Sequence, residues 1–382
     1  MLIWGLVLFS SATAADRKPA AVPGSPPFSL ALQAGNTLYL SGQINIDPET
    51  GKLVSSVESG TRQAMLNLKR ELSAKKFLLS DVVATHVWLT DLTQMPEMNK
   101  AYRSFFQDSA LPTRTTVGVS ALAKGAAIEI AMVAVRGKKT YIYPEGVERG
   151  KAPFSPGILV DGVLYVSGQA GVDSSSGKLI EGDFSAHVQQ TLENVDRILK
   201  AAHMDFGNVA LAEVYMPDVN NFEALNKVYL PYTREPRPAR VPVGVAALPL
   251  QSPIEITVIA HRKPGRSILP DGMAPSGNYS RGLLVDGRMY LAGVFSRQGD
   301  IRDQVKDCIG RMEKIMTAGG LHLKQVVEAR VYLTDMNDYD AMNSAYRESF
   351  GEGFPTRATV AVPQLPGNNR IGMTFVVAKS GR

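Results

Sequence analysis

The chain has 382 residues, 45% hydrophobic and 20% charged, an ordinary globular balance with length for about three domains. Net charge is +5, with the basic residues scattered and no run of five or more; this argues against nucleic acid, which calls for a clustered basic face, and fits encounter with small anions. A single cysteine, Cys308, excludes an intramolecular disulfide, and the absence of HExxH, CxxC or an acidic cluster at ligand spacing argues against a metal.

In chain order, "LIWGLVLFSSATAAD" (2–16) comes first, an apolar run followed by small residues. It is too short to span a bilayer and has the form of a secretory signal peptide without the usual basic start, with residues 1–15 removed. The expected location is secreted or periplasmic, with cytoplasmic the alternative. "FSLALQAGNTLYLSGQ" (28–43) predicts two strands around the turn at Gly35–Asn36. Ala64, Leu68 and Leu72, at steps of four, predict an amphipathic helix over 61–76. "DVVATHVWLTD" (81–91) is β-branched and aromatic, hence a strand, and "PEMNKAYRSFF" (96–106) opens with Pro, as helices tolerate. "PTRTTVGVSALAKGAAIEIAMVAV" (112–135) reads as two strands joined by a turn, each carrying one charge, Arg114 and Glu129.

The same order then recurs twice. "NTLYLSGQINID" at 36 matches "GVLYVSGQAGVD" at 162 and "GRMYLAGVFSRQ" at 287, and Arg114 is followed by Arg240 and Arg357. The period of about 125 residues is that of a domain. Segments 136–152 and 261–275, rich in Pro, Gly and charge, predict linkers between units 24–137, 147–263 and 274–380. Cys308 falls in helical step with Val305, Ile309, Met312 and Met316, a packing position. Each unit reads β-β-α-β-α-β-β, two helices on one face of a mixed sheet, and the other two copies are at hand to cover the second face.

"YLSGQ", "PEMNKAY" and the P-x-R strand followed by an I-E-I strand, with their counterparts in the second copy, resemble the reactive intermediate deaminase (RidA/YjgF) family, over nearly the whole chain after residue 26. The resemblance implies an α+β, chorismate-mutase-like fold, here three tandem domains forming an intrachain pseudo-trimer, expected to be monomeric. It also implies ligand sites in clefts between neighbours and cofactor-free hydrolysis of short-lived enamines and imines such as 2-aminoacrylate to 2-oxo acids and ammonia. Asn99, Asn226 and Asn343 resemble the family's cleft Asn, with capping or bridging of loops the equal alternative.

The residues argue alongside it. The planar forks of Arg114, Arg240 and Arg357 suit a carboxylate-bearing metabolite. Adjacent antiparallel strands would bring Glu129 within a rung or two of Arg114, and Glu255 likewise of Arg240; each Glu would then hold a water and shuttle a proton, or simply pair with the Arg and have its pKa depressed. Ser41, Gly42, Ser167 and Gly168 either offer a hydroxyl and an N–H to the ligand or allow close packing. Tyr102, Tyr229 and Tyr346 are expected as packing aromatics. The third copy has Gly372 for the Glu, Ala292 for the Ser and Val294 for the Gln, so its site is expected to be degenerate and unable to position water. The family's early Tyr is Phe28 and Phe154 in the first two copies and survives only as Tyr279, able to serve one cleft. Position two after the Arg is Thr116, Pro242 or Thr359, and Pro242 lacks a backbone donor. A non-catalytic carboxylate-binding protein of the same fold is the competing reading. Ribonuclease activity ranks last, for want of paired His, a metal cluster or an aromatic-basic track.

Overall fold

The computed structural model describes residues 26–379; the expected signal peptide lies outside them. Among the described residues six α-helices form where the apolar spacing and caps place them: α1 (Val57–Ala74), α2 (Met95–Arg103), α3 (Phe184–Ala201), α4 (Phe222–Tyr229), α5 (Ile301–Ala318) and α6 (Tyr339–Phe350). The long helix of each unit starts at a side-chain cap: the Ser56 hydroxyl accepts from the Ser59 N–H, Asp183 from Ala186, and Asp300 from Arg302 and Asp303, each supplying an N–H that the helix itself cannot pair. Ala64, Leu68 and Leu72 of α1 are at most 1% exposed, so the stripe faces its sheet. Cys308 is fully buried in the α5 register, and burial pushes its thiol up to about 12, which makes it packing.

In the first unit the sheet order is hairpin strand Ala31–Ala34, hairpin strand Thr37–Ile44, glutamate strand Ile128–Val135, central strand Val82–Leu89, arginine strand Thr113–Gly118. The expected hairpin of arginine and glutamate strands is therefore corrected. The central strand runs between them, parallel to one and antiparallel to the other, with Arg114 level with Thr85 but Glu129 level with Trp88. Helix α2 joins the central and arginine strands and makes the parallel crossover that a hairpin cannot. The other two units repeat this order. The linkers are also more than spacers: Thr140–Ile142 and Arg266–Ile268 each add an edge strand to the sheet of the unit that follows.

Each unit has its own core between helices and sheet. The opposite faces of all three sheets meet in one shared core containing Tyr39, Trp88, Tyr165, Tyr215, Tyr290 and Tyr332. Main-chain bridges close the ring in one sense: Gly118 to Ala247, Gly244 to Gln364, and Ala361 to Ala121. Each joins the end of one arginine strand to the turn after the next.

Equivalent positions of the three central strands meet at the middle of this core, where His86, Glu213 and Arg330 come together. His86 Nε2 lies 3.0 Å from Glu213, and Arg330 pairs with Glu213 and with Glu328. Desolvation, then the Arg330 charge, holds His86 well below its usual range. It is neutral, and its partners assign the tautomer: Nε2–H donates to Glu213 while Nδ1 accepts from Arg330 at 3.3 Å.

Candidate active site

Each arginine strand presents its Arg at the second residue, into a cleft walled by the next unit. Arg114, Arg240 and Arg357 are 5%, 1% and 4% exposed, and each guanidinium lies between aromatic rings of both units. Arg114 is 5.1 Å from the ring of Tyr102 and 5.3 Å from that of Phe154 in the second unit. Arg357 is 4.9 Å from Tyr346 and 5.2 Å from Phe28 in the first. Arg240 is 5.2 Å from Tyr229 and 5.8 Å from Tyr279 in the third. The helix tyrosines, expected only as packing, thus form the floor under each cation. A permanently charged fork held in an apolar sleeve is a strong attractor for a carboxylate.

The carboxyls facing Arg114 and Arg357 come from the neighbouring unit. Glu255 feels Arg114, and Glu129 feels Arg357. Glu129 therefore does not serve Arg114, nor Glu255 Arg240, because the intervening central strand separates the charges within a unit. Both carboxyls are buried, and desolvation pushes each up to about 8 despite the cation and despite a backbone N–H donated by Thr116 to Glu255 and by Thr359 to Glu129. The expected depression of the Glu by a close Arg is corrected: loss of water outweighs the attraction. Beside them, the hydroxyls of Thr116 and Thr359 are buried without a protein partner, as is the Asn99 side-chain oxygen, so each cleft offers polar atoms to an incoming molecule.

The cleft between second and third units is different. Facing Arg240 is Gly372, and Pro242 stands where Thr116 and Thr359 donate. The space is taken by Phe295: a Cβ on Gly372 would lie 2.6 Å from its ring, and one on Gly293 2.8 Å. The degeneracy assigned to the third copy therefore falls on the arginine of the second, while Arg357 has an intact carboxyl opposite. Tyr279 serves this same cleft. Phe295 was missed, although its signal is in the sequence: the copy that exchanges Glu for Gly also has the largest residue at a position occupied elsewhere by Ile44 and Ala170.

Other expectations change role. The Ser167 hydroxyl donates to the Ser155 carbonyl at 2.7 Å and accepts from the Arg114 N–H at 2.9 Å; Ser41 does the same with Ser29 and Arg357 at 2.6 and 2.8 Å. These hydroxyls clamp one unit's arginine strand to the next unit and are already engaged. The Gly168 N–H donates to the Arg114 carbonyl. A methyl on Gly42 or Gly168 would overlap the carboxyl of Glu129 or Glu255, so these glycines make room for the acid. Asn226 and Asn343 each accept from their Arg, at 2.8 and 2.6 Å, and orient the fork. Among the described residues no group of three or more His, Cys, Asp or Glu could hold a metal, and no helix is long and apolar enough to cross a membrane.

Residues 19–136, 148–262 and 270–379 each match the family model described as Endoribonuclease L-PSP. A human relative named 2-iminobutanoate/2-iminopropanoate deaminase is 44% identical over 112 residues, 29% of this chain and 82% of the relative. Its namesake in Rattus norvegicus is 43% identical over 123 residues, 31% and 90% of the two chains. A solved structure of RidA from an Antarctic Psychrobacter covers 32% of this chain and 98% of its own, at 33% identity and a TM-score of 0.30.

Proposed function

The chain belongs to the Endoribonuclease L-PSP family in three tandem copies, and on that premise we propose that it hydrolyses short-lived enamines and imines of 2-oxo acids to the 2-oxo acid and ammonia. The work falls to two of its three clefts, Arg114 with Glu255 and Arg357 with Glu129. The supporting observation is that pairing across units: a cation able to anchor the carboxylate, facing a carboxyl pushed up to about 8.

Such a carboxyl can act first as an acid and then as a base. With the substrate carboxylate on the guanidinium, the protonated Glu gives its proton to the imine nitrogen. The resulting carboxylate, stabilised by the Thr N–H, takes a proton from the water that attacks the imine carbon. It then returns that proton to the nitrogen and takes the proton of the new hydroxyl as the carbon–nitrogen bond breaks, so that ammonia and the 2-oxo acid leave and the Glu is protonated again. An enamine reaches the same imine by gaining a proton at its terminal carbon. The relatives' names agree with this chemistry.

In the test, 2-aminoacrylate is generated in the cuvette and its loss followed. Arg114→Ala and Arg357→Ala should each leave one working cleft, and the double variant none. Tight binding of a small 2-oxo acid with no acceleration of the loss would make the protein a carboxylate binder of the same fold.

A further inference from the structure

The Arg114–Glu255 cleft opens into a cavity of about 570 Å³, within the roughly 300–1,000 Å³ typical of sites for drug-sized ligands. That is several times the bulk of a three-carbon imino acid. Much of its outer wall is the connection between units, residues 143–152, which exists only because the two units share one chain. That connection is held from both sides. Arg103 of α2 donates to the Gly150 carbonyl at 2.7 Å, Arg197 of α3 donates to the Glu145 carbonyl at 2.6 Å, and the Tyr143 hydroxyl meets Ser155 at 3.0 Å. Val147 of the strap, Met95, Phe154, Ile198 and Leu250 give the cavity its apolar lining. Apart from Arg114 and Glu255, the charged groups that line it are two of each sign, Glu148 and Asp173 against Lys151 and Arg197, so they select neither an acidic nor a basic side chain.

We infer that this strap builds an extension subsite, so that the cleft between the first and second units takes 2-imino acids with branched aliphatic or aromatic side chains. The inference rests on the deaminase reading for its chemistry and on the strap and cavity for its size. The carboxylate stays on Arg114, the imine carbon sits by Glu255, and the side chain runs out under Val147. Each methylene buried there should strengthen binding roughly fourfold.

Calorimetric titration of the full chain with the stable products pyruvate and 4-methyl-2-oxopentanoate tests this without requiring turnover. In an Arg357→Ala background the larger acid should bind roughly tenfold tighter or more. Val147→Trp, which fills the cavity from the strap, should bring the ratio close to one, and Arg197→Ala, which releases the strap at Glu145, should lower it. Equal binding of the two acids, or a preference that survives Val147→Trp, overturns the subsite. Turnover is measured in parallel on the imines that an amino-acid oxidase makes from alanine and leucine. A preference abolished by Val147→Trp, with no hydrolysis of either imine, upholds the subsite and overturns the deaminase reading.

Discussion

Glu129 and Glu255 illustrate how a residue's chemistry is set by its surroundings. A glutamate in an unfolded chain titrates at about 4.3; these two are pushed up to about 8, chiefly by desolvation. A folded-state value above the unfolded one means that the native chain binds the proton more tightly. The stability it contributes is fully present below the unfolded value and is lost as pH rises through about 8. The thermal midpoint should therefore fall between about pH 5 and about pH 9, and Glu129→Gln/Glu255→Gln should flatten that fall. Parallel slopes in the two proteins would mean that the carboxyls are already ionised at neutral pH. In the mechanism proposed above the acid form acts first, so hydrolysis should decline over the same upper range.

At the scale of elements, the arginine strand of one unit and the glutamate strand of the next must be read together. The strand carrying Pro242 faces the strand carrying Gly372, so donor and carboxyl are missing from one and the same cleft, and Phe295 fills the space. Gly372→Glu alone should cost roughly 1–3 kcal/mol in chemical denaturation, because the new side chain meets the Phe295 ring in a packed site. Gly372→Glu combined with Phe295→Ala and Pro242→Thr restores carboxyl, space and donor. Placed in the Arg114→Ala/Arg357→Ala background, where the other clefts are silent, this triple change should restore imine hydrolysis. Continued inactivity in a folded protein would show that Arg240 and an opposing carboxyl are not sufficient.

In the whole molecule, a ring of three identical units would bring three copies of one residue to its axis. Here the axis holds a neutral His86, Glu213 and Arg330, one from each unit, and the contacts of Glu213 with the other two form only when all three different units are present. Three Glu or three Arg at this depth would repel one another in a medium that screens poorly. We expect the chain to close on itself and to run as a single chain in solution. Glu213→Ala leaves Arg330 with only Glu328 as an acidic partner and removes the acceptor of His86, and should cost about 3–5 kcal/mol, measured by denaturant unfolding. A joint replacement of His86, Glu213 and Arg330 by apolar residues of similar volume should cost far less, since the penalty lies in stranding a charge.

The three units, most of their helices and strands, and the Arg and Glu positions were legible in the amino-acid order, because they follow from patterns over a few residues: the four-step stripe of α1, the β-branched run of 81–91, the Pro near the start of α2. The repeats exposed the loss of Glu at 372 and of a donor at 242 without any coordinates. What the order left open was decided by tertiary structure. Which glutamate faces which arginine depends on a central strand inserted between neighbours in sequence, and on a ring that brings position 357 to position 129. The raised carboxyls, the Phe295 plug and the His86–Glu213–Arg330 set arise the same way, since desolvation and Coulomb attraction depend on distance in space, and these partners lie 77 to 244 residues apart in the chain.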